Sequence, residues 1–198
     1  MLNVICKKSS VGYAANTYIV SSDNKYAIID PSLPYEASLI PGELKYIFIT
    51  HAHFDHMLEL TEWQNATGAT VCVSREDAPA LADSYFNCYK PFLGIDGGYH
   101  GPLMLISEGE RLKLGEDELS VMICPGHTIG SAVLYSPPFA FVGDIVFEGG
   151  GYGRCDLPGG DSSALISSIR RLMELPEDTY LFPGHGRQFS VKQYKDYI

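Results

Sequence analysis

Short apolar runs punctuated by turn residues dominate the first half of the chain. Leu2–Cys6, Tyr18–Val20 and Tyr26–Asp30 are three such runs, the last two separated by Ser22-Asp23-Asn24. Serine, aspartate and asparagine bond to neighbouring backbone and favour turns, so this pattern predicts hairpin-connected strands. Tyr46–Thr50 reads as another strand, Glu59–Ala66 as a helix ending near Gly68, Thr70–Val73 as a strand, and Arg75 to about Ala82 as a helical stretch. From Ser84 to Ile106 glycine, tyrosine and proline recur without a period. That region predicts irregular structure with room for one further helical turn, a loop over a site.

The second half repeats the style. Strands are expected at Arg111–Leu114, Leu119–Ile123, Ala132–Ser136 and Ala140–Val142, with turns at Gly115-Glu116-Asp117 and Ser136-Pro137-Pro138. Within Asp161–Leu175 the apolar residues Ala164, Leu165, Ile169, Leu172 and Met173 recur at helical spacing; Asp161 or Ser162 supplies an N-cap and Pro176 a stop. Tyr180–Phe182 closes the strands and Val191–Tyr197 forms a short terminal helix. Two strand-rich halves, each with helices, predict an α/β protein: two packed sheets covered by helices on their outer faces.

Composition narrows the class. With 198 residues, 45% hydrophobic and 19% charged, the chain has the makings of one globular domain rather than a disordered, collagenous or coiled-coil protein. No stretch reaches the roughly 18 to 20 apolar residues that span a bilayer, and Met1–Ser10 lacks the apolar core of a signal peptide. The expectation is a cytoplasmic protein without a membrane partner. Five scattered cysteines without a C-x-x-C pair fit a reducing compartment, where they act as small hydrophobes in or near the core. A net charge of −10 and the lack of any lysine or arginine run argue against nucleic acid as a partner, because a phosphate backbone is repelled. A small-molecule substrate is expected instead, and bound cations would reverse the local sign enough to admit an anionic one. Oligomeric state is not legible.

The chemistry lies in Thr50-His51-Ala52-His53-Phe54-Asp55-His56, an H-x-H-x-D-H cluster directly after the apolar run Tyr46–Ile49. His51 and His53 project to one side of an extended segment, and the turn beginning at Asp55 brings Asp55 and His56 round to a neighbouring point. Three imidazoles and a carboxylate offer donors suited to zinc, iron or manganese. His127 in Pro125-Gly126-His127-Thr128, Asp144 in Val142-Gly143-Asp144 and His185 in Pro183-Gly184-His185-Gly186 also follow apolar runs. Four strand ends therefore deliver ligands to one edge of the packed sheets. Of the six histidines only His100 falls elsewhere, and it reads as loop, with a substrate contact as the alternative. Thr50, Thr128 and Ser131 stand beside ligands, either orienting imidazoles or closing local turns.

These residues resemble the metallo-β-lactamase fold superfamily, and more narrowly its glyoxalase II-like hydrolases. The likeness runs through Asn16-Thr17-Tyr18-Ile19-Val20, Ile28-Ile29-Asp30-Pro31, the His51–His56 cluster, Pro125–Ser131, Gly143-Asp144 and Pro183–Gly186. It implies an αββα four-layer sandwich, two mixed sheets flanked by helices, over residues 1–198. It also implies two divalent metal ions, zinc first and iron or manganese next: His51, His53 and His127 on one, Asp55, His56 and His185 on the other, Asp144 between them. Gly153–Asp161 resembles a loop of small glyoxalase II-like proteins, with Cys155 where threonine is expected. Only thirteen residues follow His185, so the C-terminal helical domain that supplies glutathione contacts in full-length glyoxalase II is not expected.

The resemblance implies a binuclear hydrolase in which a metal-bridging hydroxide attacks a thioester such as S-D-lactoylglutathione or a related small acyl thiol, with Asp55 also orienting the hydroxide. A thiolate leaves without much help from an acid, which favours thioesters over amides. Tyr152, Arg154 and Arg187 are candidate substrate contacts, as donors near an anionic acyl thiol. The rival readings are a mononuclear iron sulfur (persulfide) dioxygenase or a lactonase of the same fold, and a metal-binding module without catalysis.

Overall fold

The computed structural model describes residues 2–8 and 12–198, so part of the Met1–Ser10 segment read for a leader lies outside the described residues. The first sheet has six strands in the order β1 (Asn3–Lys8), β2 (Asn16–Ser22), β3 (Lys25–Ile29), β4 (Glu43–Phe48), β5 (Thr70–Ser74) and β6 (Met104–Ile106). Its first three strands pair antiparallel and the rest parallel. In the second sheet β7 (Arg111–Leu114), β8 (Asp117–Ile123), β9 (Ala132–Ser136) and β10 (Phe139–Gly143) run antiparallel from one edge. A ribbon of β11 (Val146–Phe147) and β12 (Gly151–Tyr152) leaves that sheet, while β13 (Tyr180–Pro183), parallel to β10, and β14 (Phe189–Ser190) complete it.

Alternation along the strands explains the layers, because successive side chains point to opposite faces. Val20, Ile29 and Phe48 of the first sheet meet Leu134, Phe141 and Phe182 of the second in one buried cluster. Their neighbours Ile19, Ile28 and Ile47 point the other way, onto Leu60 and Trp63 of helix α1 (Leu60–Thr67). In the second sheet Val133, Ala140 and Val142 pack against Leu165 and Leu172 of α3 (Ser162–Leu172) and Tyr194 of α4 (Val191–Lys195). Strands buried on both faces read as continuous apolar runs. A short helix α2 (Tyr89–Leu93) lies within the Gly-rich region. The result is the expected helix–sheet–sheet–helix sandwich, the metallo-β-lactamase fold.

Several elements differ in detail. The stretch from Arg75 to Ala82 is helical only as a 3-10 turn, Ala78–Ala82, with Pro79 near its start. Trp63 is fully buried and donates to the Leu33 carbonyl. β6, three residues inside the region read as irregular, was too short to carry a period, as were the two-residue strands β11, β12 and β14. Asp161 caps α3 by accepting from the Ala164 N–H, and no helix among the described residues is long and apolar enough to cross a membrane.

Candidate metal centre

Each of the seven predicted ligands stands just beyond the end of a strand: His51–His56 after β4, His127 after β8, Asp144 after β10 and His185 after β13. The loops are locked to one another by backbone bonds. The Ala132 N–H donates to the Thr50 carbonyl, Gly184 to Gly143, and Asn16 to Gly184. Glycine is required where loops touch: a Cβ on Gly184 would stand 2.2 Å from Asp144 Oδ1 and 2.5 Å from His56 Cε1.

Three overlapping triads result, each with ligand atoms within 4.8 Å of one another: His51, His53 and His127; His51, His56 and Asp144; Asp55, His56 and His185. His51 Nε2 lies 3.1 Å from His53 Nδ1 and 3.1 Å from His127 Nε2. On the other side His185 Nε2 is 3.1 Å from Asp55 Oδ2 and 3.6 Å from Asp144 Oδ2, and His56 Nε2 is 3.3 Å from Asp144 Oδ1. The histidines at 51, 53, 56 and 127 are buried, whereas Asp55, Asp144 and His185 keep 18%, 12% and 37% of their side-chain surface open to a cleft.

The protonation states follow from these contacts. His127 Nδ1 donates to the Arg154 carbonyl at 2.7 Å, which in the neutral ring puts the lone pair on Nε2. Thr50 Oγ1 donates to Asp30 at 2.8 Å and so accepts from His51 Nδ1 at 3.2 Å, which bares His51 Nε2 as well. Two lone pairs facing each other at 3.1 Å cannot bond to each other. His53 Nε2 is also buried without a hydrogen-bond partner, at about 1 to 3 kcal/mol, and His56 Nε2 and Asp144 Oδ1 are buried with only their mutual 3.3 Å ion-pair contact. Cations seated among these atoms remove the conflict, so the donor set fits metal ions.

The electrostatics of His51 and His53 agree. Burial, aided by His56 and His127, holds the His51 imidazole far below its ordinary range, and burial with His127 pushes His53 down to about 3; both are neutral, the ligating form. His56 is raised, since Asp30, Asp144 and Asp55 outweigh its burial. Burial opposes ionisation of Asp55 and Asp144, yet the imidazoles, His56 foremost, hold both carboxyls below the usual range.

Two buried carboxylates that carry no ligand role in the sequence reading organise the site. Asp30 accepts from the Thr50 N–H, the Thr50 hydroxyl and His56 Nδ1, each at 2.8 Å. Its sequence signal was the one that marks Asp144, an acid ending an apolar strand. Asp77 accepts from the Ala52 N–H at 3.0 Å, the Thr128 hydroxyl at 2.7 Å and the Gly130 N–H at 2.7 Å, joining the loops that carry His53 and His127. It lay in the charged run Arg75-Glu76-Asp77, which carried no signal. Thr50 thus orients an imidazole, whereas Thr128 bonds Ser131 and Asp77 and closes the loop.

The cleft over the carboxylates has a volume of about 430 Å³, and Arg154 lines it. Tyr152 and Arg187 do not: Tyr152 is exposed on the β11–β12 ribbon, and Arg187 lines a separate groove with Cys6, Lys8 and Tyr18. Tyr152 adjoins the cleft-lining Gly153 and Arg187 stands two residues from His185, but the ribbon and the turn at Gly186, with φ +86°, carry them outward. His100 is exposed and joins no ligand group, in keeping with a loop role.

A sequence model described as the Metallo-beta-lactamase superfamily matches residues 11–185. The chain belongs to that superfamily. As a superfamily member it is similar to the "Probable metallo-hydrolase YqgX" of Bacillus subtilis, 33% identical over 192 residues that cover 92% of this chain and 90% of the relative. It is also similar to the "Hydroxyacylglutathione hydrolase GloC" of Haemophilus influenzae, 32% identical with 92% and 91% covered. Among solved structures, the BLEG-1 B3 metallo-beta-lactamase superposes with a TM-score of 0.88 at 28% identity, covering 99% of this chain and 97% of that one. TTHA1623, solved in a di-iron-bound form, superposes with a TM-score of 0.84 at 28% identity, covering 98% of each.

Proposed function

We propose that this superfamily member is a binuclear metal-dependent hydrolase that cleaves the thioester of a small acyl thiol. The observation that carries the proposal is the pair of triads on either side of Asp144, with bare or unpartnered nitrogens and oxygens converging on each. In this reading His51, His53 and His127 hold one ion, Asp55, His56 and His185 the other, and Asp144 faces both. The di-iron form of TTHA1623 and the hydroxyacylglutathione hydrolase name of the GloC relative support it.

Bound there, divalent ions would supply Lewis acidity, polarising a carbonyl oxygen and lowering the pKa of water towards 7. The chain's own residues do the rest. Asp55 is ionised and faces the cleft, so its carboxylate accepts a hydrogen bond from the attacking water and aligns it with the acyl carbon. Asp30 fixes the His56 ring, and the Arg154 carbonyl fixes His127, so neither imidazole turns away as charge develops. Water oxygen adds to the acyl carbon as one O–H bond breaks and its proton passes to solvent, the C–S bond breaks, and sulfur leaves with the bonding pair. A thiolate whose conjugate thiol has a pKa near 8.5 needs no strong acid to depart, unlike an amine.

Metal analysis of protein purified without chelators, followed by acyl-glutathione, acyl-coenzyme A, lactone and β-lactam substrates, tests the proposal. Two ions per chain with thioester cleavage are expected. One iron per chain with oxygen uptake on a persulfide, or cleavage of lactones alone, overturns it.

A further inference from the structure

The cleft over the ligands is chemically lopsided. One wall is an aromatic stack: Phe54, adjacent to Asp55, lies 5.5 Å from Tyr13 and 6.1 Å from Phe92, ring centroid to centroid. Across the carboxylates Phe147 packs on the His185 ring at 6.3 Å, and Leu157 completes the lining. Phe92 and Tyr13 are about half exposed, so this apolar surface faces the cleft's opening rather than the core. Among the described residues lining the cleft, Arg154 is the one lysine or arginine.

That cation is already engaged. Arg154 Nε donates to Asp156 Oδ1 at 2.8 Å and Nη2 to Oδ2 at 2.7 Å, a two-pronged pair with which a ligand carboxylate has to compete. Its guanidinium carbon also sits 5.9 Å from the Phe92 ring centroid. Among the described residues lining the cleft, no second cationic side chain stands at the rim to receive a carboxylate.

We infer that the group leading away from the scissile bond in the natural substrate is apolar and uncharged, an aryl or alkyl thiol rather than an anionic peptide such as glutathione. This rests on the thioesterase reading for the reaction, and on the cleft walls alone for the recognised group. An apolar group laid along Phe92 and Tyr13 leaves water on both faces, which favours binding in proportion to the area covered. Glutathione would bring two carboxylates to a cleft whose one cationic side chain among the described residues is already paired with Asp156, and would give up hydration for at most one replacement contact.

The test separates binding from turnover. Two unreactive thioethers bearing the same 2-hydroxypropyl group, one on benzyl thiol and one on glutathione, are titrated calorimetrically into the metal-loaded chain. The benzyl compound is expected to bind at least ~10-fold more tightly, a difference of about 1.4 kcal/mol. Phe92→Ala should erase most of that ratio and Phe92→Leu should keep it, an outcome that general loosening of the loop would not produce. Equal affinities, or tighter binding of the glutathione compound, overturn the inference. Thioesters of the same two thiols are then assayed. Tight benzyl binding without cleavage of either thioester leaves the apolar subsite standing and removes the thioesterase reading; cleavage with a glutathione preference does the reverse.

Discussion

His56 Nδ1 donates to Asp30 Oδ2 at 2.8 Å, with both side chains shut off from water. The contact decides which nitrogen of His56 faces the ligand cluster. Replacing Asp30 by asparagine puts an amide donor opposite Nδ1 or costs Thr50 one of its two acceptors. The ring then shifts its proton to Nε2, the wrong tautomer for ligation. Asp30→Asn is expected to fold and to lose metal affinity by about 10- to 100-fold, read by competition with a chromophoric chelator. Asp30→Ala strands three buried donors and should cost about 3 to 5 kcal/mol in urea unfolding. Unchanged metal affinity in the asparagine variant would deny Asp30 its positioning role.

Gly184→Ala is a steric test of the same centre. The added methyl would meet Asp144 Oδ1 and the His56 ring at separations no real Cβ tolerates. Gly184 also donates to the Gly143 carbonyl at 2.8 Å, so the backbone cannot easily retreat. Circular dichroism should show the fold kept, while metal analysis shows one ion per chain or fewer. Full loading would mean that the loops are far softer than this packing implies.

Removing metal should destabilise the chain. Facing lone pairs and buried unpartnered atoms in one cluster are tolerable only with cations among them. Metal at a thousandfold over its Kd stabilises by about 4 kcal/mol, which corresponds to a fall in Tm on the order of 10 °C after chelation. A melting curve indifferent to a chelator would contradict the site.

Much of this was legible because strand ends and ligand types coincide in the sequence. His51 to His56 follow an apolar run that could only be a buried strand, and so do His127, Asp144 and His185. The layers were legible for the same reason: Ile19, Ile28 and Ile47 alternate with residues facing the other sheet. What sequence could not supply was the direction of side chains in loops. Arg154 and Arg187 look equivalent beside their motifs, yet one faces the cleft and the other a groove beside β1. Asp77 was invisible because its three partners come from two loops far along the chain.

Asp77 provides a fourth test, since it joins the loop of His51 and His53 to that of His127. Its carboxylate is the sole side-chain acceptor for the Ala52 and Gly130 N–H groups among the described residues. Asp77→Ala should cost about 3 kcal/mol of stability and lower metal affinity without touching a ligand. Asp77→Asn keeps one oxygen and should fall between the two. A variant as stable as the parent would mean that water replaces the carboxylate.

The last prediction concerns pH. Glu108 accepts from Arg171 Nη1 at 3.1 Å and from the Ile123 N–H at 2.7 Å, tying α3 to β8. The hydrogen bond from Arg171 holds the Glu108 carboxyl below its ordinary value of 4.5, against a smaller opposing effect of burial. Because the folded form binds its proton less readily than the unfolded form, the stabilisation is complete above the unfolded pKa. It is lost as pH falls from about 4.5 through the folded value. Half of the carboxylate's side-chain surface is exposed, so solvent screening limits the contribution to about 1 kcal/mol. Urea midpoints of the parent and of Glu108→Gln should therefore differ at pH 7 and converge near pH 3. High salt should narrow the gap at pH 7, because a half-exposed ion pair is screened. A gap that persists at pH 3 would assign the effect to packing of the side chain rather than to its charge.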